Sequence, residues 1–393
     1  MSRDFVSRKA ARFTESVIRE MTRLADEAGA INLAQGFPDF PAPAALKRAA
    51  CRAIQEDLNQ YAVTWGAPEL RRALARKYRE YNGMEVDPDR NIAVTCGSTE
   101  AMIAALLAVV DPGDEVVIFE PHYENYGPDV LLSGATPRFV RLRPPDWSFD
   151  TRELARAFNR RTKAVLLNTP NNPTGKVFSR EELEFIAGLC RKWDVLAVTD
   201  EVYEHIVYEG RHLSIASLDG MAERTITTSS LSKTLSVTGW RLGCCIAPER
   251  IATAVRKVHD FLTVGAPHPL QVAAARFLER PGDLFERLPV EYRRRRDLFV
   301  PALEEAGFRP LGRPRGAYYV MCDVSAFGFP DDVRFARWLV REHGVAVVPG
   351  SSFYADPREG RQQVRFAFCK KLGTLREALR RLSGLPAAGG AGS

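Results

Sequence analysis

The stretch Arg224 to Ala247, RTITTSSLSKTLSVTGWRLGCCIA, gathers residues able to do covalent chemistry on a carbonyl. A β-rich run, Thr225 to Thr228, breaks into the small hydroxyl residues Ser229, Ser230 and Ser232, with a single lysine, Lys233, beside them. Gly239 and Arg241 follow, and a second apolar run, Leu242 to Ala247, closes the stretch. Hydroxyls and a guanidinium hold a phosphate, and a lysine amine attacks a carbonyl to give a Schiff base. Alone, the same residues also fit a solvated loop lysine beside a structural arginine.

Other strand ends add to this set. Ile92 to Thr95 runs into Gly97-Ser98-Thr99 at the start of a helix, where free backbone N–H groups and hydroxyls form an anion site. Ser and Thr also cap helices for structural reasons alone. Lys163 to Asn168 leads into Thr169-Pro170-Asn171-Asn172-Pro173-Thr174-Gly175, a fixed irregular turn in which Asn172 either presents its amide to a ligand or simply turns the chain. Val195 to Thr199 ends in Asp200-Glu201-Val202-Tyr203, and an acid after so apolar a run is costly to bury without a cationic partner. A protonated ring nitrogen is such a partner, and Tyr203 can donate to a ring oxygen. Phosphate donors, a ring-nitrogen acid, ring-oxygen donors and a Schiff-base lysine together describe one cofactor, pyridoxal 5′-phosphate.

These residues need a scaffold that brings strand ends together. From Asn91 onward, short apolar strands alternate with helices: Ile92 to Thr95, Glu115 to Phe119, Lys163 to Asn168, Val195 to Thr199, Thr225 to Thr228 and Arg241 to Ala247. That alternation predicts an α/β fold with a mostly parallel central sheet sandwiched by helices, which binds ligands at the carboxyl ends of its strands. Past residue 285 the pattern becomes α+β, with a basic helix over Val290 to Ala306, strands at Ala317 to Val324, Val345 to Val348 and Gln363 to Phe368, and helices at Asp331 to His343 and near Thr374 to Leu382. The division is an N-terminal arm joining the small domain (1–45), a large cofactor-binding domain (46–284), a small C-terminal domain (285–385) and a disordered tail (386–393).

Composition fits an enzyme of this kind and excludes several other classes. The chain has 393 residues, 45% hydrophobic and 26% charged, with a formal charge of +6. The one dense basic run, Arg293 to Arg296, follows Glu291 in a helical segment and reads as a solvated helix face, so no nucleic-acid partner is expected. Seven cysteines without a C-x-x-C pair point to neither a disulfide framework nor a metal site, and fit a reducing cytoplasm. MSRDFVSRKAARF lacks the apolar core of a secretory signal, and no run has the length of a membrane span.

The motifs NNPTG (171–175), DEVY (200–203), SLSK (230–233) and GWRLG (239–243) resemble, in order and spacing, the class I/II aminotransferases of pyridoxal phosphate fold type I. The resemblance runs from about Ile31 to Phe368. INLAQGFPDF (31–40) and YAVTWGAPELRRAL (61–74) are similar to the subgroup of kynurenine, glutamine–phenylpyruvate and methionine aminotransferases. It implies that Lys233 carries the cofactor and shuttles protons, that Asp200 pairs with the ring nitrogen, and that Asn172 and Tyr203 bind the ring hydroxyl. Ser98, Thr99, Ser230 and Arg241 would hold the phosphate, Tyr123 would stack on the ring, and Arg365 and Gly36 would receive the substrate carboxylate. Tyr61 would reach the phosphate of a neighbouring subunit, making a homodimer with shared active sites.

The expected reaction moves an amino group between an L-amino acid and a 2-oxo acid by ping-pong chemistry. C–S β-lyases and decarboxylating or oxidising relatives share most of these residues and are the alternative. A pyridoxal-dependent transcriptional regulator would need a DNA-binding domain before Ile31, where about 30 residues stand. Phe37, Tyr61, Trp65, Tyr123, Phe353 and the segment FLTVGAPHPL (261–270) suggest an aromatic, apolar wall suited to aromatic amino acids, methionine or glutamine. That segment departs from the kynurenine-type pattern, and no second arginine for a dicarboxylate stands out.

Overall fold

Strands such as Ile92–Thr95, Glu115–Glu120 and Thr225–Ser230 have every residue buried, because helices cover both faces of the sheet they form. The computed structural model describes residues 5–7 and 9–385; the expected disordered tail, 386–393, lies outside the described residues. Eight strands form the main sheet, in the order Ile92–Thr95, Gly243–Ile246, Thr225–Ser230, Leu196–Asp200, Thr162–Asn168, Glu115–Glu120, Thr136–Arg143, Ser148–Phe149. Its centre is parallel, as expected. The register places Asn168 opposite Asp200, and Asp200 opposite Thr228, so three strands end level at one edge.

Gly243–Ile246 departs from the expected parallel pattern and runs antiparallel to both neighbours. The twelve-residue link from Ser230 to Gly243 holds only a single helical turn, Leu231–Thr234, and a 3₁₀ turn, Thr238–Trp240. A parallel crossover needs a full helix packed across the sheet. The chain reverses instead, which brings Lys233 and Arg241 to the same end. Thr136–Arg143 was not expected as a strand, since its alternating arginines and Pro137 hide a weak apolar signal. It is ordered as a near-edge strand, and Arg138 grips Glu115 on the neighbouring strand with two bonds of 2.9 Å.

A second, antiparallel sheet comprises Arg309–Pro310, Tyr319–Asp323, Gln363–Ala367 and Val348–Pro349. The expected single strand Val345 to Val348 is in fact two pieces. Val345–Ala346 pairs with Ile31–Asn32, whereas Val348–Pro349 joins the second sheet. The backbone of Leu33 bonds to Ala346 and Ala367, and this carries Gln35, Gly36 and Phe37 over the level strand ends.

The basic helix starts earlier than Pro289 suggests. It spans Leu284–Glu305 with Pro289 and Pro301 inside it, because Leu284, Leu288, Tyr292, Phe299, Val300 and Leu303 bury one face. Apolar burial of about 1.5–3 kcal/mol per side chain offsets the lost hydrogen bonds. Arg293 and Arg294 are solvated as expected, but Arg296 is buried, bonded to Asp297 and to the Pro314 carbonyl and lying over the Tyr208 ring.

Behind the acid-bearing strand end, Glu204 is buried against Lys77 at 2.5 Å and accepts from Asn82 and Ser229. Burial alone would raise its carboxyl, yet the Lys77 ammonium and the nearby imidazoles hold it down at about 2. Replacing Lys77 by methionine leaves this carboxylate buried without its cation. Urea denaturation should show a loss of about 3–5 kcal/mol for Lys77→Met, largely recovered in Lys77→Met/Glu204→Leu. Equal stability of Lys77→Met and the parent would contradict this.

Candidate active site

A cavity of about 460 Å³ opens over the level strand ends. Ser98, Thr99, Tyr123, Asn172, Asp200, Tyr203, Ser230, Lys233, Arg241, Gly36 and Arg365, drawn from both sheets and from the N-terminal segment, all line it. One expected site residue, Tyr61, does not: it is 86% exposed and outside the lining of this cavity.

The anion-binding end is built by close backbone approach. The helix Ser98–Val109 begins at the cavity, where its first-turn N–H groups have no intrahelical acceptor. Gly97 has φ +86°, and a Cβ there would collide with the Arg241 guanidinium; one at Gly243 would collide with the Gly97 backbone. Arg241 donates to the carbonyls of Thr238 (3.0 Å) and Cys96 (3.3 Å), so its cation is fixed beside the helix start. The Ser230 hydroxyl is committed to capping, since it accepts from Ser232 N–H and donates toward the Leu242 carbonyl at 2.7 Å. Ser232, which also lines the cavity, is the companion hydroxyl at this end.

Two buried charges lack a counter-ion among the described residues. The Asp200 carboxylate accepts only from the Tyr126 hydroxyl (2.8 Å) and the Val202 N–H (3.3 Å). Burial pushes its carboxyl up to about 6. Arg365 is fully buried, donates to Asn172 Oδ1 at 2.7 Å and to the Ala34 carbonyl, and lies over the rings of Tyr319 and Phe353. Its Nε has no partner. These are neutral acceptors where a guanidinium takes a carboxylate. Asn172 spends its carbonyl on Arg365, which leaves its NH₂ as a donor.

Lys233 Nζ donates to the Gly36 carbonyl at 3.0 Å, and the Tyr318 hydroxyl donates to the same oxygen at 3.0 Å. Burial lowers the ammonium to about 8, so the free amine is a minor but accessible form near neutral pH. A Cβ at Gly36 would strike the Tyr319 hydroxyl, so glycine is required there.

Four residues of this site were not singled out from the sequence. Tyr126 holds Asp200, and its ring meets Tyr123 edge-on with centroids 5.7 Å apart. One helical turn on, Asp129 is buried with one carboxylate oxygen unpartnered, and burial beside Asp200 raises its carboxyl to about 7. The Tyr319 hydroxyl bonds that of Tyr203 at 2.9 Å, and Tyr318 supports Gly36. Tyr126 and Asp129 share one face of the helix Tyr126–Leu132, with Tyr123 just ahead of it, but that spacing alone does not mark them as site residues. Among the aromatic residues expected in the wall, Phe37 and Tyr123 line the cavity while Trp65, Phe353 and the 261–270 segment do not; Ile18, Gln35, Ser16, Arg19 and Glu124 also line it.

The sequence profile described as aminotransferase class I and II matches residues 28–382. The chain belongs to this family. It is 41% identical over 390 residues to kynurenine–oxoglutarate transaminase 1 of Homo sapiens, covering 91% of this chain and 92% of that one. It is 39% identical over 368 residues to methionine aminotransferase of Escherichia coli, covering 93% and 95%. The solved structure of N-succinyldiaminopimelate aminotransferase from Mycobacterium tuberculosis superposes with a TM-score of 0.93 at 40% identity, covering 97% of this chain and all of that one. The protein is thus an aminotransferase of fold type I.

Asp200 gives a test of the site's electrostatics. Its folded value lies above the ordinary 3.8, so the native state binds the extra proton and loses stability as pH rises from about 4 through about 6. Asp200→Asn removes that cost. In the cofactor-free protein at neutral pH this variant should melt higher than the parent, by an amount that disappears near pH 4. A parent that is the more stable at neutral pH would show that Asp200 already has its cation.

Proposed function

We propose that the cavity binds pyridoxal 5′-phosphate on Lys233 and transfers an amino group from an L-amino acid to a 2-oxo acid. The observation that carries this reading is the pair of uncompensated charges, Asp200 and Arg365, facing the same cavity as a lysine whose ammonium is weakened by burial. The residues fit the cofactor group by group. The helix start with Ser98 and Thr99, together with Ser232 and Arg241, suits its phosphate, and Ser230 shapes that end. Asp200 suits a protonated ring nitrogen, the Asn172 NH₂ and the Tyr203 hydroxyl suit the ring oxygen, and Tyr123 offers its ring face. When bound, the cofactor supplies a carbonyl for amine exchange and a ring that withdraws electrons from the substrate's α-carbon.

The chain's own residues do the rest. Arg365 and the Asn172 side chain receive the substrate carboxylate, which orients the α-hydrogen. Asp200 keeps a proton on the ring nitrogen, with Tyr126 fixing the carboxylate that holds it. With the cofactor held there, Lys233 would be the base placed to take the substrate's α-proton and the acid that returns it.

For the substrate we favour an amino acid with an uncharged side chain: aromatic, methionine or glutamine. Ile18, Phe37 and Tyr123 give an apolar surface, while Arg19 and Glu124 put one charge of each sign on the wall. The related human and bacterial enzymes are named for kynurenine and methionine, both within that range.

We also read the functional unit as a homodimer with shared sites. Tyr61, Val63, Trp65, Phe261, Leu262 and Val264 are exposed. Their two segments are tied together by His259 on Thr64 O and His268 on Gln60 O, so they form one apolar face fit for a second copy. Tyr61 would then serve the partner's phosphate. The proposed division remains an arm (1–45), a large domain (46–284) and a small domain (285–385). No helix among the described residues is long and apolar enough to cross a membrane, and the seven free cysteines suit the cytoplasm.

A donor panel with 2-oxoglutarate should yield glutamate from at least one uncharged amino acid, whereas pyruvate and ammonia formed without an acceptor would favour lyase chemistry. Lys233→Ala should lower turnover by about 10²-fold to 10⁴-fold or more. Multiple turnovers at the parent rate would contradict the role given to Lys233.

A further inference from the structure

The turn that opens the anion site is held from outside the cavity. Cys96 donates its backbone N–H to Glu100 Oε2 at 2.5 Å, and its carbonyl accepts from Arg241. Glu100 Oε1 in turn accepts from His259 Nδ1 at 2.6 Å and from the Thr263 hydroxyl at 2.8 Å. The other ring nitrogen, Nε2, meets the carbonyl of Thr64 at 2.9 Å. Thr64 lies in the exposed loop that carries Tyr61.

The two oxygens bonded to the ring nitrogens of His259, a carboxylate and a peptide carbonyl, cannot donate, and the Thr263 hydroxyl 3.3 Å from Nδ1 spends its proton on the same carboxylate. A neutral imidazole has one N–H and satisfies only one of them, so the two bonds coexist only in the imidazolium. The side chain is fully buried. Burial disfavours the cation, but the Glu100 carboxylate, the Thr64 carbonyl and the neighbouring Asp260 outweigh it and raise the group above 6.5. Glu100 is held below its usual range by the same contacts, against its own burial. The remaining titratable groups nearby are Arg256, one turn earlier on the helix and stacked on Trp65, and the Cys96 thiol, which lies against the Gly265 carbonyl.

We propose that Glu100 and His259 form a proton-dependent clamp, which positions the Cys96–Thr99 phosphate turn and the Tyr61 loop as one unit. Neither residue touches the cavity; both act through the Cys96 N–H and the Thr64 carbonyl. With the imidazolium present, the turn and the loop are fixed together. Once His259 loses its second proton one of the two bonds breaks, and the phosphate end loosens. The sign follows from a folded value above the unfolded one: the clamp is complete below about pH 6.5 and is lost as pH climbs through the raised value. In the dimer proposed above, the clamp sets the phosphate contacts of its own subunit and, through Tyr61, those of the partner.

The clamp rests on the cofactor reading, so the test separates the two. Full-length protein freed of cofactor is titrated with pyridoxal 5′-phosphate and with pyridoxal, which lacks the phosphate, from about pH 6 to about pH 9. The ratio of the two affinities isolates the phosphate end and cancels the titration of Lys233. In the parent this ratio should fall with rising pH by about tenfold more than in His259→Gln, where only the phosphate's own titration remains. Superimposable profiles for parent and variant would overturn the clamp, as would equal weakening of both ligands, which marks a merely structural role. If His259→Gln does not fold, Glu100→Gln serves instead. It removes the charge that sustains the imidazolium, so the fall should move to lower pH, and an unmoved fall would overturn the proposal. A parent that binds neither ligand would overturn the cofactor reading itself.

Discussion

An ionised carboxylate held in a protein interior without a cation is the condition on which this site depends. Asp200 ends a buried apolar strand, and the fold gives it a tyrosine hydroxyl and one N–H in place of a positive charge. Arg365 is its mirror image across the cavity, a buried guanidinium with neutral acceptors and one idle N–H. Each charge raises the free energy of the empty protein and lowers that of a complex with the complementary charge in place. A ligand carrying both a ring cation and a carboxylate satisfies the two at once.

The sheet makes this arrangement possible through register. Asn168, Asp200 and Thr228 sit level across three parallel strands, so the loops that follow them converge on one volume. The antiparallel return of Gly243–Ile246 brings Arg241 back beside the helix start at Ser98, where two glycines permit the backbones to touch. The N-terminal segment closes the top, because Ile31–Asn32 pairs with Val345–Ala346 and lays Gly36 over Lys233. One carbonyl, that of Gly36, thereby links the lysine, the N-terminal segment and Tyr318 from the second sheet.

Much of this was legible from the residues. Apolar runs ending in Asp200 and Asn168 announce parallel strands with polar tips, the β-rich run Thr225 to Thr228 leads to a third tip at Ser230, and the lysine follows within three positions of it. Tyr126, Asp129 and Tyr319 were not legible as site residues, because a buried polar partner is defined by what packs across from it. Thr136–Arg143 escaped notice for a related reason: its arginines are stabilised by Glu115 on another strand, which no local pattern reports. The helix expected over Val290 to Ala306 begins instead at Leu284, since the apolar face that carries it through Pro289 is a tertiary feature. The charges on the cavity wall, Arg19 and Glu124, come from a helix and a loop about a hundred residues apart and are brought to one cavity only in three dimensions.

The most direct measurement of the central claim is the protonation state of the ring nitrogen in the bound cofactor. Pyridoxal phosphate labelled with ¹⁵N at the ring can be followed by NMR in the parent protein and in Asp200→Ala. The account predicts a pyridinium shift in the parent that persists above neutral pH, and an unprotonated pyridine in the variant. An unprotonated ring in the parent, or the same shift in both proteins, would contradict it.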